Sequence, residues 1–193
     1  MQARELFLER HRGFREYPDV LLNGMTESQI RDAPHGALNS IAWLLWHMAR
    51  CEDLGVNGLV ADRDQVLEEG WLERLNVPHR EMGTGMPRAE AIEVGQTIDI
   101  GQLVAYEKAV ADRTEAVVLA LDPPDWDGIL DPEILERVLI TDGGGGRQAA
   151  TIVEAYRGHT RGWMLGHLAL THNFYHIGQA FTARALHGVK NPW

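Results

Sequence analysis

The spacing of apolar residues constrains the fold of this chain more than any other feature of its sequence. In four segments, residues 3–22, 39–60, 99–121 and 151–186, apolar side chains recur every three or four positions. This spacing places them along one face of an α-helix. Only residues 136–141 have any of the two-residue alternation that is typical of strands. The pattern therefore predicts an all-α fold, a four-helix bundle.

Proline and capping residues indicate where these helices begin and end. Pro18 kinks or ends the first helix, because proline lacks the amide hydrogen that a helix interior requires. Asn39 or Ser40 is well suited to cap the start of the second helix. Pro123 and Pro124 stop the third helix.

The connections after the second and third helices, residues 61–98 and 122–146, are long and irregular. Within the first, only residues 64–75 have a helical pattern. The second ends in a run of glycines, 143–146, and no Lys-Ser or Lys-Thr pair follows it as in a phosphate-binding P-loop. We interpret this run as a mobile loop, and we expect both connections to wall a substrate cleft.

Composition narrows the class of protein and its partners. The 193 residues suit a single domain, residues 1–193. The net charge of −10 disfavours binding to nucleic acid. No apolar run approaches the roughly 18 residues of a membrane span, and residues 1–17 lack the apolar core of a secretory signal. We expect a cytoplasmic protein that acts on a small molecule, with neither nucleic acid nor membrane as a partner.

Histidine is the metal-binding residue that this chain has in quantity. Cys51 is the single cysteine, so neither an intramolecular disulfide nor a cysteine cluster can form. There are nine histidines, and five of them lie between His159 and His187. A metal ion would therefore be bound mainly through nitrogen or oxygen.

His172 and His176 form an HxxxH pair on the last predicted helix. Residues four apart lie on the same helix face, about 6 Å apart along the axis, so that both imidazoles can bind one metal ion. Pairs with this spacing also occur by chance, so a third ligand from another helix is needed. His159 and His167 lie about 140° from His172 around a regular helix, and they are interpreted as polar, core or interface residues.

His47 is the predicted third ligand. It lies in the middle of the most apolar helix, where an imidazole without a partner is costly. A core histidine satisfied by a carbonyl is the competing interpretation. Three histidines from two helices are a common way to build a nitrogen site with an open position.

Two segments resemble a known family. Residues 39–50, NSIAWLLWHMAR, and residues 171–179, THNFYHIGQ, are similar to the DinB/YfiT-like superfamily, whose members are regarded as metalloenzymes. The resemblance implies a four-helix bundle in which His47, His172 and His176 bind one divalent metal, zinc or nickel. It also implies a homodimer and a low-molecular-weight thiol co-substrate such as mycothiol, bacillithiol or glutathione. The implied reactions are S-transfer and isomerisation, as in mycothiol-dependent maleylpyruvate isomerase.

Three neutral imidazoles leave a bound metal its full charge and an open position. Such an ion lowers the pKa of a thiol or of water in that position. A thiol-dependent transferase or isomerase is thus one hypothesis, and a hydrolase that uses bound water is another. A third is a non-catalytic, metal-binding stress-response bundle, whose site would be closed by a fourth protein ligand.

Other polar residues near the predicted ligands have two interpretations each. Gln179 shares the ligand face and either bonds to a ligand or substrate, or is a buried amide satisfied by backbone. Tyr106 and Glu107 are candidate acids or bases, although Tyr106 also suits a core aromatic position. Cys51 is either a fourth metal ligand or an inert small apolar residue, and we prefer the second.

Aromatic residues on the helices support the expectation of a homodimer. Trp43, Trp46, Trp163 and Phe174 are expected to pack between helices or across a dimer contact. The sequence does not indicate which helices would pair.

Overall fold

The computed structural model describes residues 3–34 and 38–191, and over these residues the chain is all-α. The α-helices are α1 (Ala3–Phe14), α2 (Tyr17–Leu22), α3 (Glu27–Arg31), α4 (Ile41–Asp53), α5 (Trp71–Leu75), α6 (Arg88–Thr97), α7 (Ile100–Ala120), α8 (Pro132–Glu136), α9 (Ala149–Tyr156), α10 (Arg161–Gly166) and α11 (His172–Leu186). π-Helical turns span Leu54–Val60, Arg137–Thr141 and His167–Thr171, and 3₁₀ turns span Val66–Glu68, Pro123–Asp127 and Gly146–Gln148. The predicted domain, 1–193, includes residues 1–2, 35–37 and 192–193, which lie outside the described part.

The long helices form the predicted four-helix bundle. Helix α4 packs against α7 and α11, α1 packs against α7, and α2 packs against α11. Every residue of α4 is buried, as expected of a helix that is apolar nearly all round. Among the described residues, no helix combines the length and the apolar character that crossing a membrane requires.

Local sequence signals explain the ends of the bundle helices. The Ser40 side chain accepts a hydrogen bond from the Trp43 amide at the start of α4. Asp99 does the same for the Gln102 amide at the start of α7. Pro18 lies in the first turn of α2, so the predicted first helix is divided in two. Proline fits there because a first-turn amide has no partner within the helix.

The prediction of one continuous helix over residues 151–186 is wrong. Helix α9 ends at Tyr156, and Gly158 then adopts a positive φ of 78°. Thr160 caps the new helix α10, and the π-helical turn His167–Thr171 joins α10 to α11. A positive φ is strained for residues other than glycine, so Gly158 is suited to break the helix.

The two long connections contain more helix than the sequence predicted. The first includes the short helix α5 and the ten-residue helix α6, of which only the region of α5 was expected. Residues 136–141, which alternate weakly, form the end of α8 and a π-helical turn rather than a strand.

Candidate metal centre

Helices α4 and α11 bring His47, His172 and His176 together. The ring centroids of His47 and His172 are 4.8 Å apart, those of His47 and His176 are 4.8 Å apart, and those of His172 and His176 are 4.4 Å apart. His47 lies mid-helix in α4, and the other two occupy the first turns of α11. The structure therefore brings together the three residues that the sequence named as ligands.

The orientation of His47 is set by its surroundings. Its Nδ1 is hydrogen-bonded to the carbonyl oxygen of Met82, and its ring stacks on Trp43 with centroids 4.7 Å apart. A carbonyl can only accept, so Nδ1 carries the proton and the Nε2 lone pair is free. That Nε2 lies 3.2 Å from Nε2 of His172.

This separation fits a pair of metal ligands. Two nitrogens bound to a tetrahedral zinc ion at about 2.0–2.1 Å lie about 3.3 Å apart. Without a metal, Nε2 of His172 must carry a proton for the contact to be favourable, because the proton of His47 is on Nδ1. Imidazole nitrogen also suits zinc and nickel well, so the residues present fit the metal that the fold family implies.

Burial keeps these imidazoles neutral. The pKa of His47 is lowered to about 4, first by burial and then by the neighbouring His176. The pKa of His172 is lowered to about 2 by burial and then by His47 and His176. Burial also lowers the pKa of His176. Neutral rings offer free lone pairs at pH 7, which metal binding requires.

Gln179 contacts the third histidine. Its Oε1 lies 2.8 Å from Nδ1 of His176, so His176 donates from Nδ1 and keeps the Nε2 lone pair free. Gln179 thus accepts the Nδ1 proton of His176, just as the Met82 carbonyl accepts the Nδ1 proton of His47. Such bonds set the tautomer and orientation of a ligating histidine. A catalytic role for Gln179 stays a prediction.

Cys51 lies beside the histidine cluster. Its Sγ is 3.7 Å from Nδ1 and 3.9 Å from Nε2 of His47. Among the described residues, His47, Cys51 and His172 form a group whose ligand atoms lie within 4.8 Å of one another. Burial raises the pKa of the thiol, so Cys51 is a neutral thiol unless a cation displaces its proton. The chain therefore has a possible metal-binding site at His47, Cys51 and His172.

His167 is closer to the site than the sequence predicted. The turn His167–Thr171 is π-helical, so it contains one residue more than an α-helical turn. This additional residue offsets most of the angle of about 140° that would separate His167 from His172 around a regular helix. The ring of His167 lies 6.5 Å from that of His172 and stacks on Trp163 at 4.6 Å. No local sequence signal marks a π-helical turn, so periodicity alone missed this neighbour.

Tyr106 belongs to a buried ionic network. Its hydroxyl donates to Asp53 Oδ2 at 2.6 Å and accepts from Arg50 Nη1 at 2.8 Å. Asp53 also accepts from the amides of Val66 and Leu67, which ties the first connection to α4. Burial raises the pKa of Tyr106. This placement favours the core role for Tyr106. The sequence feature that could have identified its partners is the presence of two charged residues, Arg50 and Asp53, within an apolar helix.

The two long connections meet and line one cavity of about 430 Å³ next to the segment whose Met82 carbonyl bonds to His47, although none of the three histidines lines it. The cavity lies between residues 79–86 of the first connection and residues 146–147 of the second. The Met82 amide donates to the Gly144 carbonyl at 3.0 Å, while the Met82 carbonyl accepts from His47. The segment that orients His47 is thus anchored to the glycine run.

The glycine run is a packed turn, and its interpretation as a mobile loop does not describe it. Gly144 and Gly145 are buried, and their amides bond to Val138 and Leu139. A Cβ on Gly144 would lie 2.3 Å from Leu54 Cδ1. Glycine is needed there because the chain packs too closely for a side chain.

The fold and the site together define an all-α bundle protein with an imidazole cluster between two of its helices. The sequence model of the DinB superfamily matches residues 12–180 of this chain. The chain therefore belongs to that superfamily.

A solved structure agrees with this assignment at the level of the fold. The crystal structure of a conserved protein from Enterococcus faecalis superimposes with a TM-score of 0.73 at 20% sequence identity. The match covers 96% of this chain and 97% of that chain. None of the curated proteins compared with this sequence matches it.

Proposed function

We propose that this protein is a metal-dependent enzyme that activates a low-molecular-weight thiol for S-transfer or isomerisation. His47, His172 and His176 would hold one divalent cation, zinc or nickel. The observation that carries the proposal is the convergence of three neutral imidazoles, with two Nε2 atoms 3.2 Å apart. Membership of the DinB superfamily supports it.

The chain's own residues prepare the site for this chemistry. The Met82 carbonyl and Gln179 hold the Nδ1 protons of His47 and His176, which leaves both Nε2 atoms as acceptors. When bound, the metal supplies Lewis acidity that lowers the pKa of a thiol at neutral pH. The cavity between the two long connections is the proposed place for the substrate.

Cys51 supports a second candidate, a closed and non-catalytic metal site. Its Sγ lies in one group with His47 and His172, and a thiolate there would fill the position that an enzyme keeps open. Cobalt substitution separates the candidates. A thiolate-to-cobalt absorption band in the wild type that Cys51→Ser lacks would indicate the closed site, whereas its absence is expected for the enzyme.

The deciding experiment combines metal content with turnover. Electrophilic substrates are assayed with mycothiol, bacillithiol, glutathione or no thiol, using metal-loaded and metal-stripped protein. We expect one metal per chain and turnover that needs both metal and thiol. His47→Ala and His176→Ala should lose metal and turnover, while His187→Ala, at the end of α11, should keep both.

The other outcomes identify the alternatives. Turnover with metal but without thiol would indicate the hydrolase. Turnover that survives metal removal or His176→Ala would contradict the proposal, and equal metal content in all variants would exclude this set of ligands.

A further inference from the structure

A second cavity lies within the bundle, on another side of α4 from the histidine cluster. It has a volume of about 260 Å³ and is bordered by residues of α1, α2, α4, α7 and α11. His47, His172 and His176 do not line it. Its walls combine apolar side chains with polar and charged ones, among which Glu52, Glu107 and Asn173 come from three different helices.

The polar side chains in this cavity are only partly satisfied. Glu52 accepts from Asn173 Nδ2 at 2.8 Å, and its other oxygen lies 2.8 Å from His11 Nε2. Glu107 Oε2, Asn173 Oδ1 and His11 Nδ1 are buried without a hydrogen-bond partner. The carboxylate and amide oxygens are acceptors, and so is Nδ1 of a neutral His11 that donates to Glu52. When Glu107 is a carboxylate, a donor would satisfy all three of these atoms.

Two cations, Arg15 and Lys108, also line the cavity, and both are paired with other carboxylates. Lys108 Nζ lies 2.8 Å from Asp112, and Arg15 pairs with Asp112 and Glu115. Burial, followed by the nearby charges of Glu52 and Asp19, raises the pKa of Glu107. An unpaired buried carboxylate is costly, so burial favours the neutral acid of Glu107, whereas a bound cation would favour its carboxylate.

The shape and lining of the cavity favour an organic cation over a metal ion. Among the described residues, ligand atoms gathered closely enough for a metal were found at His47, Cys51 and His172. Phe14, Met48 and Val104 supply apolar surface that a metal ion would not use. An ammonium group has three N–H donors, and its alkyl chain can cover that surface.

We propose that this cavity binds a primary alkylammonium ion. Its ammonium group donates to Glu107 and Asn173, and its alkyl chain packs against Phe14, Met48 and Val104. The net charge of −10 further favours a cationic ligand. This proposal does not rest on the proposed metal chemistry, although Met48 and Asn173 directly follow His47 and His172 in the chain.

Calorimetric titration of the full chain with n-butylammonium tests this proposal, with butan-1-ol as the neutral probe. We expect saturable binding of the ammonium and at least tenfold weaker binding of the alcohol. Glu107→Gln should weaken ammonium binding at least tenfold. Glu93→Gln, which removes an exposed carboxylate on α6, should leave it unchanged.

The methyl resonance of Met48 provides a second readout that needs no variant. It should shift on addition of n-butylammonium to the wild-type protein, and the shift should saturate with the calorimetric affinity. Equal binding of the alcohol and the ammonium would overturn the proposal. So would full ammonium affinity in a folded Glu107→Gln variant, or an unchanged Met48 resonance at saturation.

Discussion

At the residue scale, the polar side chains of α4 lie in three environments, one of which is the second cavity that Glu52 lines. His47 faces α11 and the histidine cluster, whereas Arg50 and Asp53 form an ion pair beneath Tyr106. Other segments bond to these groups through the Met82 carbonyl and the Tyr106 hydroxyl, although Arg50 Nε is buried without a hydrogen-bond partner. A helix that is apolar nearly all round can therefore carry a site and an internal network without losing its core position.

Tyr106→Phe should destabilise the protein and leave its site intact. The substitution removes the hydroxyl that bonds to Asp53 and Arg50, and we expect a loss of about 1–3 kcal/mol in the free energy of unfolding. Metal content and turnover should not change. Denaturant unfolding measures the loss, and Tyr175→Phe, on an exposed side chain, is the control. Lost turnover in a stable Tyr106→Phe variant would instead indicate a catalytic tyrosine.

The metal-free protein should lose stability as the pH falls below about 6.5. His47 has a pKa of about 4 in the folded chain and about 6.5 when unfolded, so the unfolded chain takes up its proton first. Stability is fully present above about pH 6.5 and is lost progressively towards pH 4, by about 3 kcal/mol for this residue.

Unfolding midpoints of the metal-free protein across this pH range measure that dependence. The metal-free His47→Asn variant should show a shallower decline, because it lacks the group that titrates. Parallel curves for the two proteins would show that His47 does not account for the loss.

At the element scale, irregular segments position the site as much as the helices do. The π-helical turn His167–Thr171 rotates α10 relative to α11 and brings His167 towards His172. The first connection delivers the Met82 carbonyl to His47, and Gly83 follows it directly. Gly83 has a positive φ of 86°, and a Cβ there would lie 2.6 Å from Trp46.

Gly83→Ala should therefore destabilise the protein and weaken metal binding. The added methyl group must displace Trp46 or the segment that carries Met82, at a cost of about 1–3 kcal/mol. Gly70→Ala is a matched control, since Gly70 also has a positive φ but has open space around its Cβ position. Unfolding and zinc titration of both variants test this. Equal losses in the two would mean that backbone strain, and not the contact with Trp46, decides the effect.

At the scale of the whole molecule, the helices leave several aromatic side chains exposed. Trp43 and Trp46 are buried in the core, but Trp163 is 37% exposed and Tyr175 is 64% exposed. Phe174 packs edge-on against Phe14 and is also partly exposed. Exposed aromatics on α10 and α11 are typical of surfaces that contact another chain.

We predict a homodimer in which this aromatic surface is covered. Light scattering at micromolar concentration should give twice the mass of one chain. Tyr175→Glu should shift the protein towards monomer, because it places a charge within the contact. Leu119→Glu, on an exposed residue of α7, should not. A monomeric wild-type protein would contradict the prediction.

The sequence by itself determined the fold class, the helices α4 and α7, and the face that His172 and His176 share. These follow from periodicity and capping, which depend on residues a few positions apart. It also singled out His47, because an imidazole within an apolar helix requires a partner. The family assignment from residues 39–50 and 171–179 is confirmed by the superfamily match.

Only the tertiary structure decided which polar groups meet. The pairing of His47 with Met82, the approach of Cys51 to the cluster and the unpaired Glu107 involve segments far apart in the chain. The division of the last predicted helix at Gly158 and the π-helical turn after it were equally absent from the periodicity. The physical reason is that such contacts depend on how all the helices pack at once, while periodicity reports only the face that each helix buries.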